Sequence, residues 1–194
     1  FTPLVQKTAI PRIFWSDLTG EPFKNCISCE TYLLKEGVDY MIEKALQSTK
    51  IETINSTIFE YAMCVDCASQ LRSQLSNSSL KNIEDFYASH VDFMERLHKL
   101  TSNKPDIQDW INECLINKRP HFEGEEYQIY GFCSGKEFYF GEMPFMISGK
   151  AIEKMTELIS EKTMDELDNF KNQLTSGPPE FKELLEANGA RIFI

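Results

Sequence analysis

The chain has 194 residues, 42% of them hydrophobic and 12% aromatic, and a net charge of −10, which supplies a packed core and excludes the composition of a disordered chain. The acidity is uneven: residues 1–76 hold 7 Lys/Arg against 9 Asp/Glu and residues 77–194 hold 13 against 21, so the two parts carry −2 and −8. Nucleic-acid binding rests on Lys and Arg neutralising phosphates, and this balance argues against it.

No window approaches the roughly 18 to 20 apolar residues of a membrane helix. The start, Phe1 to Lys7, lacks a charged region followed by a long apolar stretch, so the expectation is a soluble, unexported chain with no membrane partner. The six cysteines are expected to be reduced, with the cytoplasm as the default compartment.

In chain order, Arg12-Ile13-Phe14-Trp15 predicts a short aromatic strand, followed by turn signals at Asp17, Gly20 and Pro22. Next comes the pair Cys26-Ile27-Ser28-Cys29. Residues 40–46 and 56–63 are candidate strands that would pair as a hairpin, although 40–46 suits a helix equally by propensity. The second pair, Cys64-Val65-Asp66-Cys67, runs into Ala68, Leu71, Arg72 and Leu75 at helical intervals until 76–79 interrupts.

Two Cys-x-x-Cys pairs, with 34 residues between Cys29 and Cys64, point to one shared metal ion. A gap of two residues lets one tight turn present two sulfurs, and four thiolates complete a tetrahedral Zn²⁺ sphere. Such a sphere is closed to water and substrate, which marks the metal as structural. An iron-sulfur cluster or a pair of disulfides are the other readings of four such cysteines. A thioredoxin-like redox role fits worse, because that motif uses a single pair within a strand-to-helix unit. The predicted ligands are Cys26, Cys29, Cys64 and Cys67, with Zn²⁺ as the cofactor.

The order of cysteine turn, hairpin and cysteine turn at a helix start, over about residues 10–76, resembles the treble-clef, zinc-ribbon-like module. That resemblance implies that the last two ligands sit in the first turn of a helix. The positive end of a helix dipole favours thiolates there.

Beyond Ser79 the sequence predicts a long amphipathic helix capped by Ser78 or Ser79, with Leu80, Ile83, Phe86, Tyr87, Met94 and Leu97 on one side. A second helix is expected from Pro105 to Asn117. The period then switches to two, and residues 126–141, turning at Ser134-Gly135, read as a β-hairpin. The apolar run 142–147 suits a buried strand. Helices are expected from Ser148 or Gly149 to Ser160, from Thr163 to Leu174 behind a Thr163-Met164-Asp165-Glu166 capping box, and shortly after Gly177-Pro178-Pro179.

His90 shares the predicted helical stripe with Ile83, Tyr87, Met94 and Leu97, and should point inward. His98 lies near the edge of that stripe. His121 follows Pro120 in a loop beside Glu123, Glu125 and Glu126, read as a solvated charged loop. Cys114 and Cys133 fall on apolar positions and read as buried, inert thiols. No phosphate-cradling glycine loop, nucleophile elbow or His-Glu-x-x-His pattern occurs, and no catalytic residue is assigned.

The expected architecture is therefore α+β. A treble-clef-like four-cysteine zinc finger at 1–76 is joined to a mostly helical region at 77–194 with one β-hairpin, the two packed as one unit. The expected function is a non-enzymatic protein-interaction module with a structural zinc, whose partner is a protein bound by the acidic helical part. The alternatives are a nucleic-acid-binding zinc finger using Lys7, Arg12, Lys24, Lys35, Lys44, Lys50 and Arg72, and an enzyme with a cleft between the two parts served by His90 or His121.

Overall fold

The computed structural model describes residues 5–49, 55–102, 104–122 and 124–174. Strand β2, Asp39–Ser48, is buried along most of its length, Glu43 and Lys44 included, because it has a partner on each edge. On one edge it forms an antiparallel hairpin with β3, Asn55–Cys64, aligning Tyr40 with Cys64 and shifting register between Ala45 and Leu46. On the other it pairs antiparallel with β4, Glu126–Ser134, which sets Ile42 opposite Gly131.

The far edge of β4 carries two short strands. β5, Glu137–Phe140, pairs with residues 132–134, and β6, Phe145–Ser148, pairs with residues 127–130. β1, Gln6–Ala9, pairs with β5 and completes a six-stranded antiparallel sheet.

Alternation along β2 sends Tyr40, Ile42, Lys44 and Leu46 to one face and Met41, Glu43 and Ala45 to the other. Residues 10–33 cover the Lys44 face with little regular structure beyond a 3₁₀ turn at Arg12–Phe14. The ring of Phe14 lies 4.8 Å from that of Phe138. It fits because position 131 is glycine: a Cβ there would stand 2.7 Å from Phe138 and 2.8 Å from Phe14.

Helices cover the Glu43 face. They are α1, Val65–Gln74, α2, Asn77–His90, α5, Gly149–Thr156, and α6, Glu161–Leu174. Phe170 of α6 meets Tyr61 edge-on at 5.9 Å, and Tyr87 of α2 lies 6.3 Å from Phe145. Two further helices, α3, Phe93–Ser102, and α4, Ile107–Ile111, lie between α2 and β4 in the chain. Trp110 of α4 packs on Phe140 at 5.5 Å.

Each face also holds a buried ionisable side chain. The Lys44 side chain is 2% exposed and is ion-paired to Asp17 at 2.9 Å and Glu60 at 3.1 Å; its ammonium also donates to the Trp15 carbonyl at 2.7 Å. On the opposite face Glu43 accepts from the Tyr61 hydroxyl. The neighbouring Tyr130 hydroxyl donates to Gln128 Oε1 at 2.6 Å.

This architecture corrects the expected fold class. The hairpin β2–β3 is hydrogen-bonded through β2 to β4, so the cysteine region is part of a shared sheet, not a small N-terminal finger, and residues 126–148 add three strands to that sheet. The physical reason is that β2 is buried on both faces, Glu43 and Lys44 included, so its backbone N–H and C=O groups need strand partners on both edges.

Several local expectations change as well. Arg12–Phe14 is a 3₁₀ turn and the nearby strand is Gln6–Ala9. The single long helix is two, α2 capped by Ser76 and α3 started by Asp92, whose carboxylate accepts from Met94 N and Glu95 N at 3.0 Å each. The helix expected over 105–117 stops at Ile111, and Cys114 instead bridges Met146 in parallel. The helix expected after Gly177 lies outside the described residues.

Candidate metal centre

The first cysteine pair sits at the tip of a small antiparallel loop. Asn25 bridges Tyr32, Leu33 N donates to Lys24 O at 2.8 Å, and Cys26 N donates to Thr31 O at 2.9 Å. Glu30 closes the turn at φ 60°, a left-handed conformation that costs a non-glycine residue about 1 kcal/mol. The Asn25 amide donates to the Glu30 carbonyl at 3.0 Å and steadies it. Ile27 N then donates to Ala62 O at 2.9 Å and fastens the loop to β3.

The second pair is placed by the strand-to-helix junction. Cys64 ends β3 and caps α1, and Cys67 lies in the first turn of α1. Cys64 N donates to Cys26 Sγ at 3.4 Å, which joins the two pairs. The Sγ atoms of Cys29 and Cys64 are 3.7 Å apart, and no two of the four sulfurs are more than 4.8 Å apart.

Those distances discriminate between the readings. A disulfide needs about 2.05 Å between sulfurs, and all four cysteines are free. Ligands on a tetrahedral ion with bonds of about 2.3 Å stand about 3.8 Å apart, close to the observed separation. The four cysteines are thus near enough to bind one metal ion, with no disulfide competing for them.

The thiols differ in acidity. The Thr31 hydroxyl, 3.1 Å from Cys29 Sγ, and the Thr31 backbone draw the Cys29 thiol down to about 6. Burial, followed by the sulfurs of Cys29 and Cys64, pushes Cys67 up to about 12, and burial also raises Cys64. Four crowded sulfurs cannot all carry charge unless a cation joins them, and a coordinating dication deprotonates its thiols outright. Cys26 is buried whereas Cys29 is exposed, so the cluster opens to solvent on one side.

The remaining candidates fall elsewhere. Cys114 and Cys133 are fully buried; Cys114 Sγ accepts from Ser148 N at 3.3 Å, and burial pushes the Cys133 thiol up to about 12. Among the described residues neither joins a metal-ligand cluster. His90 is exposed, because α2 ends there and Met94 and Leu97 belong to another helix. Its Nδ1 lies 2.8 Å from the Phe86 carbonyl.

His90 does line a groove of about 660 Å³ together with Glu125, Glu126 and Glu153, and the lining of this groove includes none of the cysteines. His121 stacks on Tyr127 at 4.1 Å, and burial lowers its pKa. His98 is exposed on α3.

Sequence reasoning missed Thr31 and Glu30, which shape the first cysteine turn. The one available signal was their position just after Cys29. It also missed the Lys44 ion pairs, because Lys44, Glu60 and Asp17 are brought together only by the fold. Among the described residues no helix is long and apolar enough to cross a membrane. No family model, no curated protein and no solved structure matches this chain.

Proposed function

We propose that Cys26, Cys29, Cys64 and Cys67 hold one structural Zn²⁺, and that the chain acts by binding a partner protein. The observation that carries the metal reading is the mutual approach of four free sulfurs to within 4.8 Å. The succession of cysteine loop, β2–β3 hairpin and helix start supports a treble-clef-like placement of the ligands within the larger sheet. Zinc suits the donor set, since a tetrahedron of thiolates is its usual structural site.

Four protein ligands leave no position for water or substrate, so this metal holds fold elements together instead of performing chemistry. The test is elemental analysis of protein purified without added metal, joined to a thermal melt before and after chelation. One zinc per chain and a large fall in melting temperature are expected. Iron, or an unchanged melt with all cysteines freely reactive, would overturn the assignment.

The partner reading draws on the charge of −8 in residues 77–194 and on the exposed acids Glu84, Asp85, Asp165 and Asp168 of α2 and α6. Neutralising all four to amides should abolish co-purification of the proteins that the native chain retains. Recovery of the same proteins by both forms would remove this support.

A further inference from the structure

Two cations are buried in the described structure, and their surroundings differ. Lys44 has two carboxylates in contact. Arg96 of α3, only 8% exposed, has none. Its Nη2 donates to the carbonyls of Glu142 and Pro144 at 2.8 Å and lies 3.4 Å from that of Gly141, and the guanidinium lies 4.7 Å over the Trp110 ring.

Among the described residues the hydrogen bonds of this guanidinium run from Nη2 alone, and Nη1 and Nε are not among the buried atoms left without a partner, so they are open to a ligand. Glu95, the acid one position before it, is held by Lys118 at 2.9 Å and Lys99 at 3.4 Å, and Glu142 acts on the guanidinium only at longer range. A largely buried cation held by carbonyls and an aromatic face, with no carboxylate in contact, gains from an opposite charge that joins it. Burial brings Arg96 down to about 10, which still leaves it cationic at neutral pH.

Apolar hollows lie on both sides of this guanidinium. One, of about 530 Å³, is walled by Phe93, Leu97, Leu100, Phe132 and Phe140. The other, of about 430 Å³, lies beneath α2 and includes Ile83, Tyr87 and Val91 in its wall. Phe93, Arg96, Glu142 and Met143 belong to both walls. The outer hollow opens at Phe93 and Leu97, which are 59% and 43% exposed. Volumes of about 300 to 1,000 Å³ are those of small-molecule sites, which combine an apolar lining with a few placed polar groups.

We propose that Arg96 and these hollows form a binding site for an amphipathic carboxylate of the fatty-acid type. The carboxylate accepts hydrogen bonds from Nη1 and Nε, and the acyl chain lies against Phe93, Leu97 and Leu100. The guanidinium fork matches a carboxylate in two-point contact. The site is independent of the four cysteines.

The test is calorimetric titration of the native chain with decanoate and, separately, with decanol. Decanoate should bind at one site, about tenfold or more tighter than decanol, because a charge-assisted pair adds that much over a neutral one. Arg96→Met should abolish the preference. Since that change also frees the carbonyls at 141, 142 and 144, Leu97→Asp at the exposed rim serves as a second variant: it should leave the melting temperature unchanged and weaken decanoate about tenfold by like-charge repulsion. Equal affinity for acid and alcohol, no saturable binding of either, or decanoate binding indifferent to Leu97→Asp would overturn the proposal.

Discussion

The two faces of the sheet are covered by opposite means. Residues 10–33 reach the Lys44 face as an irregular segment with one 3₁₀ turn, whereas four helices, α1, α2, α5 and α6, lie on the Glu43 face. A helix satisfies its own backbone groups and needs only to present an apolar stripe. An irregular segment has no such internal ladder, and ordering each of its residues costs about 1 to 2 kcal/mol. It is held instead by polar attachments, namely the cysteine cluster, the Ile27–Ala62 hydrogen bond, Trp15 and Asp17 on Lys44 and Ser16 on Glu60, together with the buried side chains of Ile10, Phe14 and Leu33. The irregular cover thus combines polar attachments with buried side chains, whereas the helical cover relies on packed stripes.

The strongest way to break that contrast is to remove the metal proposed at the cysteine cluster. Metal binding to such a site is folding free energy. Chelation, or Cys26→Ser, should therefore cost about 4 kcal/mol or more and lower the melting temperature by at least about 10 °C. Hydrogen exchange should then show amides of residues 12–33 opening first while α2 and α6 keep their protection. Simultaneous loss in both covers would show that they are one cooperative unit.

Lys44→Met comes next. It leaves Glu60 and Asp17 without their cation and should cost about 3 kcal/mol, at the lower end for a broken buried pair, because Asp17 is half-exposed. Adding Glu60→Gln should recover part of that loss in urea melts, since the stranded carboxylate is the larger part of the penalty. A double variant no more stable than the single one would show that lost packing of the lysine stem is the cause.

Gly131→Ala attacks the same cover through its packing. The added methyl enters space held by Phe14 and Phe138 and should cost about 2 kcal/mol by overpacking. Combined with Phe14→Leu the cost should be less than additive, because the smaller side chain vacates that space. Strict additivity by equilibrium unfolding would mean that the backbone of β4, not the ring of Phe14, absorbs the methyl.

What could be read in the sequence follows the range of each interaction. The cysteine cluster was legible because a metal imposes spacing on neighbouring residues, and the hairpin over 126–141 because alternation and a turn are both local, whereas over 40–46 propensity left strand and helix equally open. The β2–β4 pairing was not, since it joins residue 42 to residue 131 and leaves no local trace. Glu43 and Lys44 hid the depth of β2: adjacent strand positions point to opposite faces, so the pair reads as one charge reaching solvent on each side, yet each is buried by a partner remote in sequence. The break between α2 and α3 did have a signal, Asp92 three residues before Glu95, which is the pattern of a helix start. It was masked by the apolar stripe that runs across it.

The smallest expected effect tests the helical cover alone. Ser76 and Ser160 cap α2 and α6 reciprocally. Ser76 Oγ accepts from Ser79 N at 3.2 Å, and Ser160 Oγ accepts from Thr163 N at 3.3 Å. Ser160 N donates to Ser79 Oγ at 2.8 Å, and Ser76 N donates to Thr163 Oγ1 at 3.0 Å. Each helix start is thus satisfied partly by the other helix, which ties the two N-termini together. Ser76→Ala should cost about 1 kcal/mol, the worth of one cap. Ser160→Ala should cost about the same, and the double variant less than their sum because the hydroxyls serve one another. The content of the proposed metal should be unchanged in all three, since Ser76 lies beyond the C-terminal end of α1 and the cysteines at its start. Loss of metal from Ser76→Ala would mean that α1 transmits the strain from one end to the other, and that the attachment points of the irregular cover depend on the packing of the helical one.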